Sequence, residues 1–173
     1  MCFFLFSASP LTLSEIRSML PAGFTADLAR PAEQAALRAL HPAARTGVRL
    51  LLGACSCDLV LARSGSREEE RELRRRYFAA GMSRADVIAA IESHRRGGGP
   101  FHSPAAARAA LAAFVAEHAR NAGPTLYLLR FGREPLDRRP PEGPPVRLRP
   151  DALAGNADGW LVEERAVLVG LES

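Results

Sequence analysis

The sequence contains no lysine. All 23 basic side chains are arginine, while asparagine occurs twice and glutamine once among the 173 residues. Without lysine, the chain has no P-loop of the GxxxxGK[ST] type, no ATP-binding lysine of the kinase type and no lysine for a Schiff base with pyridoxal phosphate. Arginine does not take over these roles, because its planar guanidinium differs in shape from the compact lysine ammonium and, being always protonated, forms no Schiff base. These enzyme classes are therefore excluded.

Cysteine is also scarce, with three residues at Cys2, Cys55 and Cys57. No basic residue precedes the apolar run at positions 1–8, and Pro10 follows it too early for a secretory signal. An odd number of cysteines without such a signal is typical of a reducing compartment. We therefore expect a cytoplasmic protein whose thiols are free or metal-bound.

Long apolar segments are missing as well. The alanine-rich stretch at residues 104–116 is interrupted by Arg108, and it is shorter than the roughly 20 residues that a membrane-spanning helix needs. We therefore expect no membrane partner. Because 47% of the residues are hydrophobic, the chain can bury a core without disulfides or structural metal.

Positive charge is concentrated in one region. The net charge is +4, and residues 130–149 contain six arginines and three acidic residues, a local balance of +3. High arginine with no lysine fits a GC-rich coding bias, so the charge alone does not indicate an anionic partner. RNA or phosphate binding through the region from Arg130 to Arg149, with Tyr127, Phe131 and Trp160 as stacking groups, is one interpretation. Solvated loop arginines without a partner are the other.

Hydrophobic patterning predicts strands at both ends of the chain and helices between them. We expect a single α/β domain over residues 1–173, α+β or a mixed sandwich, in which the terminal strands share one sheet and three or four helices lie in the middle of the chain. The predicted strands cover 2–9, 48–52, 125–131 and 160–171. The second is followed by another short strand or continues past Gly53 as one strand with a bulge around Cys55, and the last is one strand or two joined at Glu163–Glu164. The predicted helices cover 13–20, 31–40, 66–80, 83–96 and 104–121.

Two of these helices carry more specific expectations. The pairs Glu70–Arg74 and Glu72–Arg76 are four residues apart, an arrangement that favours ion pairs within a solvated helix over an arginine face for phosphates. His118 continues the apolar stripe of the longest helix. This position indicates a core histidine, and the sequence has no HExxH or GxSxG motif to suggest catalysis.

The pair Cys55-x-Cys57 is the pattern that most directly indicates chemistry. Residues two apart in an extended backbone point to the same face, so both sulfurs can approach one metal ion. Cys2, on another apolar strand, can supply a third ligand, and His41 is the nearest imidazole in sequence. These residues predict a site for a thiolate-preferring metal, with zinc the first choice.

The same cysteines allow other functions. If Met1 is removed, Cys2 becomes an N-terminal thiol nucleophile of the kind that hydrolases use, although the Cys-Gly-Ile start of class II glutamine amidotransferases is absent. Cys55 can also act as a nucleophile or in thiol redox chemistry. Cysteine is also a common buried residue, so all three can be structural residues of buried strands. A non-catalytic interaction module is a third class of function.

These motifs resemble those of a group of small uncharacterised bacterial proteins. The shared features are the start MCFFLF at residues 1–6, the element GACSC at 53–57 after a strand, and the closing strand with EER at 163–165. No activity is assigned to that group. The resemblance implies that Cys2, Cys55 and Cys57 form one spatial cluster, and it implies no reaction.

Overall fold

The computed structural model describes residues 3–52, 56, 59, 67–79, 81–96, 101, 104–132, 136, 141, 143–154 and 159–171. These residues form six strands and six helices. In chain order they are Phe3–Ser9 (β1), Leu13–Met19 (α1), Phe24–Leu28 (β2), Pro31–Leu40 (α2), Thr46–Leu52 (β3), Arg67–Ala79 (α3), Arg84–Arg96 (α4), Pro104–Ala122 (α5), Thr125–Phe131 (β4), Val146–Leu148 (β5), Pro150–Ala154 (α6) and Ala166–Val169 (β6).

All six strands belong to one sheet with the order β2-β3-β1-β4-β6-β5. Neighbouring strands are antiparallel, except that β5 and β6 are parallel. The terminal strands β1 and β6 therefore share a sheet, each pairing with β4, as predicted. Helices α3, α4 and α5 separate β3 from β4 along the chain. The predicted mixed α/β class with helices in the middle is confirmed.

Local capping signals place the first two helices. Thr12 caps α1, accepting a hydrogen bond from the Glu15 backbone N–H, while the Glu15 carboxylate accepts one from the Thr12 N–H at 2.7 Å. Pro31 occupies the first turn of α2, and the Glu33 carboxylate accepts a bond from the Arg30 N–H at 2.8 Å. Because these signals involve residues within one turn, the sequence is sufficient to predict them.

Successive residues of the central strand β1 point alternately to the two faces of the sheet, and they are buried on both faces. On the α5 face, Phe3 and Leu5 pack in one cluster with Leu111 of α5. On the opposite α2 face, Phe6 packs in a second cluster with Leu37 of α2. This double burial explains why β1 is apolar along most of its length rather than alternating between apolar and polar residues.

The prediction that residues 160–171 form one long strand is wrong. β6 covers only Ala166–Val169 and runs antiparallel to β4, whereas Glu163 forms a parallel bridge to Leu129. Between these contacts the chain turns at Glu164, which has a positive φ of 61°. The alternative of a break at Glu163–Glu164 agrees with this geometry.

Three short elements were missing from the sequence interpretation: β2, β5 and α6. In β2 only Phe24 and Ala26 are buried, so its pattern contains too few inward residues to be distinguished from a loop. β5 and α6 contain only three and five residues. Elements this short are defined by their neighbours in the fold rather than by their own periodicity.

Helices α3 and α4 pack on each other at the Phe131 end of β4. Their contact is a small apolar cluster, and Tyr77 stacks on Phe131 with ring centres 6.0 Å apart. On the outer surface of α3, the predicted ion pairs are present, with nitrogen–oxygen distances of 2.8 Å for Glu70–Arg74 and 3.5 Å for Glu72–Arg76. The solvated-helix interpretation of α3 is confirmed for these side chains.

Arg130 does not belong to a solvated loop. It lies on β4 with 2% of its surface exposed, and its Nε and Nη2 donate to the Glu164 carboxylate at 3.0 and 2.8 Å. A nucleic acid cannot reach this guanidinium. The expectation of an arginine surface that begins at Arg130 is therefore wrong. Arg147 and Arg149 are exposed. The arginines between 133 and 139 lie outside the described residues.

We predict that Glu164→Ala destabilises the protein by about 3 kcal/mol, because it removes the carboxylate that compensates a buried arginine. Glu163→Ala is the matched control, since that neighbouring carboxylate is only partly buried and meets Arg76 at 3.5 Å. Urea denaturation measures both free energies of unfolding. Equal losses for the two variants would contradict the assignment of Arg130–Glu164 as a buried, stabilising pair.

Candidate functional site

The strands β1 and β3 separate at one end of the sheet. Their paired residues stop at Leu5–Leu50. Beyond this point β1 still pairs with β4 as far as Phe3, and β3 still pairs with β2 as far as Leu52. We call the opening bounded by Phe3, Leu5, Leu50 and Leu52 the β1–β3 fork.

Ser56 fills this fork. Its Oγ accepts a hydrogen bond from the Leu5 N–H at 3.1 Å and donates to the Leu50 carbonyl oxygen at 2.7 Å. Its backbone N–H donates to the Phe3 carbonyl oxygen at 2.8 Å. Ser56 is fully buried. One serine thus replaces the ladder bonds that β1 and β3 no longer make with each other.

A serine suits this position for a physical reason. Strands that separate inside a core leave buried N–H and C=O groups, which must find partners. A hydroxyl is the smallest side-chain group that donates and accepts at once. The sequence interpretation treated Ser56 only as the spacer of Cys-x-Cys. No local signal identifies its role, which depends on the register between two distant strands.

The three cysteines flank this arrangement in the sequence. Cys2 precedes Phe3, and Cys55 and Cys57 stand on either side of Ser56. All three lie outside the described residues, so their predicted clustering stays a prediction. Among the residues that the structure does describe, no group of three or more His, Cys, Asp or Glu side chains is placed to hold a metal ion.

His41 does not complete a site at the fork. Its Nε2 lies 2.8 Å from the Pro124 carbonyl oxygen, and the chain that follows it is bonded to the Ser9 end of β1 through the Arg45 N–H. Seven extended residues separate the two ends of β1 by roughly 20 Å. His41, the nearest imidazole in sequence, therefore lies too far from the fork to be a ligand there. The reason is that β3 starts beside Ser9 and reaches the fork only at its far end.

A second polar cluster joins α5 to the sheet. The two ring nitrogens of His118 lie 2.8 Å from the hydroxyls of Ser9 and Tyr127, and the Leu11 N–H donates to the Ser9 Oγ at 3.0 Å. In a catalytic triad, a serine hydroxyl is bonded to the histidine Nε2 and an acidic group is bonded to the histidine Nδ1. Ser9 and Tyr127 occupy these two positions around His118. Here all three side chains are completely buried, so a substrate cannot reach the Ser9 hydroxyl.

The protonation states in this cluster follow from burial. Desolvation lowers the pKa of His118 from 6.5 to about 4 and raises the pKa of Tyr127 above its ordinary value. At neutral pH the imidazole is thus uncharged, with one donor and one acceptor nitrogen for its two hydroxyl neighbours. The prediction of a core histidine is confirmed. The partners of His118 could not be identified from the sequence, because they belong to the strands β1 and β4 and not to α5.

The aromatic residues proposed for RNA stacking belong to the core. Tyr127 is fully buried, and Trp160 is 4% exposed and meets the Tyr127 ring edge-on at 5.9 Å. Phe131 packs against Phe3 with ring centres 4.8 Å apart. Buried Tyr127 and Trp160 cannot stack on RNA bases, so that part of the RNA interpretation is wrong, whereas Phe131 is partly buried and stacks on Tyr77.

Comparisons with models of known protein families, with curated proteins and with solved structures found no match to the chain. Within the described part of the chain, no helix is long and apolar enough to cross a lipid bilayer.

We predict that His118→Gln flattens the pH dependence of stability between pH 6.5 and 4. In the wild type, the unfolded chain binds a proton at His118 below pH 6.5, while the folded protein stays neutral there down to about pH 4. The free energy of unfolding therefore falls by up to about 3 kcal/mol as the pH decreases through this window. Urea denaturation at pH 7 and pH 4.5 measures how much the free energy of unfolding falls in each protein. Equal decreases in the wild type and in His118→Gln would contradict the prediction.

We also predict that Ser56→Ala lowers the free energy of unfolding by about 2 kcal/mol, because it leaves the Leu5 N–H and the Leu50 carbonyl without their hydroxyl partner. Ser7→Ala is the matched control. Ser7 is fully buried opposite Tyr127, but its Oγ makes no hydrogen bond of acceptable geometry to a described residue. If the two variants lost equal stability, the bridging role of Ser56 would be wrong.

Proposed function

We propose that the chain binds a thiolate-preferring metal ion, zinc, through Cys2, Cys55 and Cys57 at the β1–β3 fork. The observation that supports this proposal is the hydrogen bond from the Ser56 N–H to the Phe3 carbonyl. It joins the immediate sequence neighbours of all three cysteines.

Covalent geometry limits how far the cysteines lie from this bond. Cys2 is one peptide unit from Phe3, and each of the other two is one peptide unit from Ser56. Because consecutive Cα atoms are about 3.8 Å apart, each cysteine Cα lies within about 6 Å of the nearer atom of the hydrogen bond. This limit permits the three thiolates to approach one metal ion that prefers sulfur.

The site would also cross-link the fork. Three thiolates leave one position of tetrahedral zinc for a water molecule or a further side chain. A bound ion joins the start of β1 to the segment after β3, where the ladder between these strands has already ended. Metal binding would therefore add to stability, since the ion binds the folded arrangement.

The test is native mass spectrometry of protein purified anaerobically without chelator, followed by titration with Zn²⁺ against a chromophoric chelator. We expect one zinc per chain, lost on denaturation. Replacement of Cys2 or Cys55 by serine should weaken zinc binding by more than about 100-fold, since loss of a ligand costs more than loss of an outer partner. His41→Ala is the control and should keep full affinity.

Two results would contradict the proposal. An apo protein that has lost Met1 and takes up no added zinc would instead favour Cys2 as a nucleophile. An apo protein that retains Met1, without zinc uptake or a disulfide, would favour buried structural cysteines.

A further inference from the structure

The strand β5 forms one outer edge of the sheet. Among the described residues it pairs only with β6. The Leu148 carbonyl oxygen accepts a hydrogen bond from the Gly170 N–H at 3.1 Å. Backbone groups of successive residues in a strand point to opposite sides, so the N–H and C=O of Arg147 face away from β6. They form an open pairing edge.

Uncompensated positive charge lies along this edge. Arg147 and Arg149 are exposed, and neither forms an ion pair with any residue that the structure describes. The nearest acidic residue in sequence, Asp151, is engaged by Arg120 at 2.8 Å. Arg147 lies within β5 and Arg149 directly follows it, and both arginines line the same pocket.

A shallow apolar pocket adjoins the two arginines. Its other walls come from Pro124, Leu148, Leu168, Gly170 and Leu171, and Leu171 is 57% exposed. Glycine suits position 170, because a Cβ there would lie 3.0 Å from the Pro124 Cα, a tighter contact than most Cβ atoms make. The close approach of these two backbones forms the floor of the pocket.

We propose that the β5 edge binds an acidic peptide segment in extended conformation. The peptide backbone pairs with Arg147, its carboxylates pair with the two guanidinium groups, and one apolar side chain enters the pocket. This combination of main-chain pairing for affinity and side-chain pockets for specificity is the usual mode of strand addition. The proposal does not depend on metal binding at the fork, which lies at a different end of the sheet.

Charge selects this occupant over two others. A second copy of the chain would bring its own β5 arginines against these, and like charges across paired strands are destabilising. A nucleic acid would use the guanidinium groups but not the open backbone edge or the apolar pocket. An acidic peptide uses all three features.

The test is fluorescence polarisation with a fluorescein-labelled nine-residue peptide of alternating glutamate and valine. We expect saturable binding that Arg147→Ala/Arg149→Ala weakens at least about tenfold, as expected when two charge-assisted contacts are lost. The matched control, Arg71→Ala/Arg84→Ala, removes the same charge from α3 and α4 and should bind like the wild type. N-methylation of the central valine, which blocks backbone pairing, should weaken binding by a similar factor.

Three outcomes would overturn the proposal. No saturable binding up to millimolar peptide would leave the arginines as a charged guard against edge-to-edge aggregation. Equal weakening in both double variants would show non-specific attraction. Tighter binding of a single-stranded oligouridylate, lost in the Arg147/Arg149 variant while the peptide fails to bind, would assign the edge to nucleic acid.

Discussion

The fold of this protein depends on one buried hydroxyl, that of Ser56, which bonds the backbone groups left without partners where β1 and β3 separate. β1 has a neighbour on each side, so every backbone group it presents inside the core requires a partner. Where β3 departs, Ser56 supplies those partners through its Oγ and its N–H. Without this serine, the fork would expose unpaired polar groups to an apolar interior. With it, β3 can end beside β2 while the following segment returns to the start of β1.

The same requirement applies to other buried or partly buried polar side chains of the sheet. At the opposite end of β1, Ser9 is bonded to His118 of α5. On the α2 face, Arg49 and Arg130 are each paired with a glutamate. The partners in these three contacts are 109, 16 and 34 residues apart, and removing one partner leaves a polar group without compensation. The apolar clusters supply most of the driving force, while these pairs determine how helices and loops meet the sheet.

The features that could be predicted from sequence were those set by near neighbours. α2 has its predicted limits because Pro31 fixes its first turn, and β4 has its predicted limits because Gly123-Pro124 precedes the largely apolar run TLYLLRF. Ser56 and the partners of His118 could not be predicted, since their roles depend on strand register. The position of His41 just before β3 in sequence does not bring it to the fork, because β3 starts beside Ser9 at the other end of β1. The three cysteines lie outside the described residues, and their clustering remains a prediction.

The central claim is that the fork brings three thiols to one ion. X-ray absorption spectroscopy at the zinc edge of the zinc-loaded protein tests it most directly, because it counts the sulfur atoms bound to the metal. The account predicts a shell of three sulfurs at about 2.3 Å with one lighter ligand. A shell of nitrogen and oxygen alone would contradict it.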